Sequence, residues 1–106
     1  MRNERLKGLI GLAARSGQAV FGETACRKLA ESGKCGLILL SLEASENTGE
    51  RYEVLCAKTG TGLARMDAEL PRAAGRDCMA IGLREGTLCG QILRLLRDDG
   101  AEDGRD

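Results

Sequence analysis

The segment Gly36-Leu37-Ile38-Leu39-Leu40-Ser41 carries no charge and no large polar side chain. A continuous apolar run of this kind reads as a strand buried on both faces. Covering both faces requires helices on both sides of a sheet, so this one segment directs the chain towards layered α/β architectures. A chain of 106 residues can build one such core and not two. Phe21 and Tyr52 are the only aromatic residues, so that core must be made of Leu, Ile, Ala, Cys and Met.

Helical and extended periods alternate around the run. Leu6, Leu9, Ile10 and Ala13 share one face of a helix over residues 5–15, and Ser16-Gly17 ends it. Gln18 to Phe21 is a short strand candidate. Gly22-Glu23-Thr24 opens a second helix that reaches about Ser32, with Ala25, Cys26 and Leu29 inward. Glu23 in its first turn suits the positive helix end. Leu42 to Glu46 is a loop, and Asn47 or Thr48 can cap a third helix running to about Lys58. Gly62 to Met66 is a strand, residues 67–74 a short helix or turn, Cys78 to Leu83 a strand, and Thr87 to Leu96 the last helix. The order α-β-α-β-α-β-α-β-α predicts a largely parallel or mixed sheet between helix layers.

The formal net charge is zero, but it is unevenly spread. Residues 98–106 hold five acids against one arginine and have no large apolar side chain, so they read as an acidic disordered tail. Residues 1–97 then form the single domain, with a modest basic excess. That excess alone does not argue for nucleic-acid binding.

Several function classes find little support. No apolar run is long enough to span a membrane. The short basic and apolar N-terminus fits a first helix better than a secretory signal. The five cysteines have no C-x-x-C spacing, and there is no histidine to complete a familiar zinc site. They read as reduced, buried small hydrophobes in a cytoplasmic protein. Gly33-Lys34 lacks the upstream glycine of a Walker loop, and Gly8-Leu9-Ile10-Gly11 has no strand before it. Lys58 to Gly62 follows a helix and precedes a strand, the reverse of a phosphate loop. Without histidine the commonest general base is missing, and no serine has an evident activating partner. The expectation is a monomeric, non-catalytic protein without cofactor or metal.

Three stretches, in this order and spacing, resemble the kink-turn-binding ribosomal protein superfamily (L-seven-Ae and L-thirty-e), and most closely its short stand-alone bacterial members. They are Gly22 to Lys28, Leu37 to Ser45, and Glu69 to Gly75 followed by Cys78 to Leu83. The resemblance covers about residues 4–97. It implies a three-layer α/β/α sandwich around a central four-stranded mixed sheet. It also implies binding of structured, kink-turn-like RNA in a ribosome or translation context, at one end of that sheet. Gly22 and Lys28 match the family glycine and lysine, Glu43 its acidic loop position, and Arg72 a basic position. Glu23, Thr24 and Arg27 on the second helix, with Arg76 and with Arg15 at the end of the first helix, are further RNA-binding candidates by position and charge. RNA-binding members carry Asn-Glu where this chain has Thr24-Ala25, and a glycine where it has Pro71. The implied contact is therefore with the RNA backbone, which positions a protein without reading sequence. The alternative is a protein-interaction module of the same fold, docking on a ribosomal or translation-factor protein.

Overall fold

The computed structural model describes residues 2–105, with side chains described for residues 4–97. Nine elements follow the expected order. They are α1 (Arg2–Arg15), β1 (Ala19–Phe21), α2 (Glu23–Glu31), β2 (Cys35–Ser41), α3 (Glu46–Thr59), β3 (Gly62–Met66), α4 (Glu69–Ala73), β4 (Ala80–Arg84) and α5 (Thr87–Arg105). The strands form one sheet in the order β1-β4-β2-β3. β2 pairs parallel with β3 and antiparallel with β4, and β4 pairs antiparallel with β1, so the sheet is mixed.

The apolar run becomes β2, a central strand, and its side chains feed two cores. Leu37 and Leu39 join Leu6, Ile10, Ile81, Leu83 and Ile92 beneath α1 and α5. Ile38 and Leu40 join Cys26, Leu29, Tyr52 and Cys56 beneath α2 and α3. Alternate residues of one strand thus stabilise opposite faces, as period-two geometry demands. The three layers are those expected. A shift in pairing between Cys35 and Leu37 breaks the alternation once. It delivers Cys35 to the α2/α3 core along with Ile38 rather than to the core of Leu37.

Three boundaries differ from expectation. Ser45, not Asn47 or Thr48, caps α3: its Oγ accepts from the Thr48 backbone N–H at 3.1 Å. Ser45 and Thr48 are both good capping types, and the chain uses the earlier one because its backbone is already extended there. β4 begins at Ala80, because residues 76–79 lead in as a loop. α5 continues past Leu96 to Arg105. No proline interrupts it, and i→i−4 bonding propagates cheaply once a helix is nucleated. Over 98–105, expected as part of a disordered tail, the backbone continues as α5, and Asp106 lies outside the described residues.

All five cysteines are free, and all but Cys78 are buried. Burial raises the thiol pKa of each. They pack as neutral small hydrophobes, which agrees with the sequence reading. Tyr52 is buried on α3, and its hydroxyl finds no hydrogen-bond partner among the described residues. An unpaired buried hydroxyl loses its hydration without compensation. Replacing Tyr52→Phe is therefore expected to raise stability by about 1 kcal/mol, read as a higher urea midpoint at unchanged slope.

Candidate functional site

The topology gathers four chain segments at one end of the sheet. β1, β2 and β3 all point their C-termini there, and β4 begins there. The segments are the start of α2, the loop after β2, α4 with its following turn, and the 76–79 loop. Three backbone bonds tie them together. Gly22 N–H donates to Ala80 O at 2.9 Å, Ser41 N–H to Met79 O at 2.7 Å, and Leu42 N–H to Met66 O at 2.9 Å.

Gly22 precedes α2 with φ 99° and ψ 158°. L-residues rarely enter this region, so the glycine at this corner is a backbone requirement. No side chain caps the helix. The first intrahelical bond is Cys26 N–H to Gly22 O at 3.0 Å, so the N–H groups of Glu23, Thr24 and Ala25 project beyond the last carbonyl they could use. Free donors and the positive end of the dipole make this corner attractive to anions.

Around it stand charged side chains. Arg76 lies over the Phe21 ring, its guanidinium carbon 4.9 Å from the centroid, which holds it beside Gly22. Arg72 on α4 faces Glu43 of the β2 loop at 4.0 Å. Glu23 faces Arg51 of α3 at 3.5 Å. Arg65 reaches from β3 to donate to Ser41 O at 3.2 Å. Its guanidinium lies against Gly49, where a side chain would collide with it. The Arg72 and Arg51 pairs are long and exposed, and such pairs contribute little to stability. A recess of about 270 Å³ opens beside them, with Ser41, Glu43, Arg72 and Met79 in its walls.

Of the residues singled out in the sequence, Gly22, Glu23, Thr24, Glu43, Arg72 and Arg76 therefore share this end. Arg27 is exposed one turn along α2. Lys28 lies in the last turn of α2 and lines a separate cleft. Arg15 does not join the group. It closes α1 before β1 begins, whereas Gly22 follows β1, so the strand separates them and Arg15 sits at the opposite end of the sheet. Arg51 and Arg65 were missed by sequence reasoning. Nothing in local spacing marks them, since both reach the site through tertiary packing. A larger groove of about 530 Å³ lies between α1 and α5, where Gly8 leaves no side chain to fill it.

No described helix is long and apolar enough to cross a membrane, and no described group of three or more His, Cys, Asp or Glu could hold a metal ion.

Fold and site together define a class: a small α/β/α sandwich presenting an uncapped helix start and exposed arginines at one sheet end. No family model matches the sequence, and no curated protein matches it. Solved structures share the fold. A protein of unknown function from Bacillus halodurans C is similar at a TM-score of 0.79 and 24% identity, over 87% of this chain and 96% of that one. The Giardia lamblia 15.5kD RNA binding protein is similar at a TM-score of 0.70 and 17% identity, over 92% of this chain and 86% of that one.

Proposed function

We propose that this protein binds structured RNA through the sheet end that begins at Gly22, and that it positions the RNA rather than reacting with it. One observation carries the reading: the uncapped start of α2 and the exposed Arg72 and Arg76 side chains converge on a single end. The likeness to an RNA binding protein from Giardia supports it. The natural target is a bent, kink-turn-like RNA in a ribosome or translation context, as the sequence resemblance implies. Thr24 and Ala25 offer no amide and carboxylate pair to bases, so the contact is with phosphates and with the bend itself.

The test is a titration against a kink-turn RNA and a straight duplex of equal length, at two salt concentrations. The expected result is tighter binding of the bent RNA, weakening with salt. The double variant Arg72→Gln, Arg76→Gln should reduce the logarithmic salt slope by about 2, one for each phosphate no longer neutralised. Binding that ignores salt, or no binding to either RNA, overturns the proposal.

A second reading has its own observation. Leu42 and Met79 stay 67% and 43% exposed at this end, beside arginines whose charge Glu23 and Glu43 offset. A protein partner would cover that apolar surface. A pull-down that survives nuclease treatment, together with failure of the RNA titration, would favour it.

A further inference from the structure

We propose that the bound RNA continues past the start of α2 and lays its phosphate backbone in a second contact, the cleft formed by α2, β1 and the ends of β2 and β4, where Lys28, Lys34 and Arg84 hold it. This rests on the RNA-binding reading above and extends it to a separate surface.

The cleft has a volume of about 340 Å³, and its lining contains three cations and no acid. Each cation has a structural reason to be there. Ala80, Gly82 and Arg84 alternate onto the α2 face of β4, so the last of them points under the end of α2. Glu85 N–H donates to Lys34 O at 3.0 Å, which draws the turn before β2 against that strand end. Lys28 lies on the same helix face as Ser32, four residues on. Val20 and Leu29 form the apolar floor.

These charges are not consumed locally. No ion pair joins Lys28, Lys34 or Arg84 to a described residue, whereas Lys7, Arg51 and Arg72 each face a carboxylate. The C-terminal end of α2 offers the equivalent of about half a negative charge. Its carbonyls are partly taken: Ser32 N–H and Gly33 N–H donate to Lys28 O and Ala30 O at 3.0 Å, and Ser32 Oγ to Leu29 O at 2.6 Å. The three full positive charges in the lining exceed the half charge of the helix end.

The geometry also fits a continuous strand. α2 has nine residues, and at about 1.5 Å per residue it is roughly 13 Å long. Thr24 and Lys28 stand four apart on one helix face, linking the start of α2 to the cleft. A backbone seated on the Gly22 corner reaches Lys28 within a few nucleotides.

The test measures salt-dependent binding of a bent RNA with helical arms on both sides of the bend. The proteins compared are the wild type, Lys34→Gln, and the double variant Lys34→Gln, Arg84→Gln. Lys34 is exposed, so its single substitution reads the contact without disturbing packing. The expected result is a salt slope shallower by about 1 for the single variant and about 2 for the double. Circular dichroism melts should stay unchanged. Slopes equal to that of a wild type that binds RNA would overturn the second contact and leave the Gly22 end standing. A wild type that binds no RNA would overturn both.

Discussion

Raising the pH is expected to unfold this protein cooperatively near pH ~11, in the presence of a reductant. Cys26 is fully buried, and burial pushes its thiol from the ordinary 9.0 up to about 12, with the neighbouring thiols adding in the same direction. Between those values the folded state holds a proton that the unfolded chain has released. Stability is therefore complete below the unfolded pKa and is lost as pH rises through the folded one. Each such thiol removes up to about 1.4 kcal/mol per pH unit, so Cys26 alone accounts for roughly 4 kcal/mol across its window. Cys35, Cys56, Cys78 and Cys89 shift the same way, as does Tyr52, all through burial. Typical domains have only about 5–15 kcal/mol in total. Far-ultraviolet circular dichroism and thiolate absorbance followed together should change in one transition. Thiolate signal appearing near pH ~9 with the helices intact would show that the thiols are not shielded.

Substituting Gly82→Val is expected to destabilise the fold by about 3 kcal/mol or more. Gly82 sits in β4, a central strand, opposite Val20 of β1 and Ile38 of β2. A Cβ built there would lie 3.1 Å from Val20 Cγ2, 3.3 Å from Cys26 Sγ and 3.6 Å from Cys26 Cα. The glycine therefore lets the backbone of α2 approach the sheet closely. An alanine requires small adjustments of two side-chain atoms. A valine must push α2 outward and displace the Gly22 corner with it. Urea denaturation should show a lower midpoint for valine than for alanine, and the RNA affinity proposed for the Gly22 end should fall in the same order. Equal stability of the three proteins would mean that α2 is not seated on Gly82.

Much of the fold was legible because each element carries its own punctuation. The uncharged Gly36 to Ser41 run marked a central strand, and Ser16-Gly17 marked where the first helix stops. Pairing order was not legible, since nothing local says that β4 enters between β1 and β2. The same limit applies to the site. Gly22 and the α2 start could be read from one stretch, and the Arg72 and Glu43 positions came from the family resemblance. Arg51 and Arg65 reach the site from α3 and β3, through contacts between residues far apart in sequence. Arg15 belongs to the site only if closeness along the chain means closeness in space, and here it does not. β1 is only three residues long, yet its two ends open onto opposite sides of the molecule.

The insertion of β4 between β1 and β2 has a consequence for biosynthesis. β1 is made early, but its partner strand among the described residues is Ala80–Arg84. The Gly22 corner is likewise anchored on Ala80. Until β4 has been translated, the nascent chain carries β1 unpaired and one edge of β2 open, both templates for wrong pairing. Helices α1 to α4 can form and collapse on β2 and β3 in the meantime, but the sheet end cannot close. The molecule therefore completes the end proposed to bind RNA late, in the step that completes its sheet. A transcript cut short before Ala80 would yield a chain that has the residues of this end but lacks the strand that assembles them.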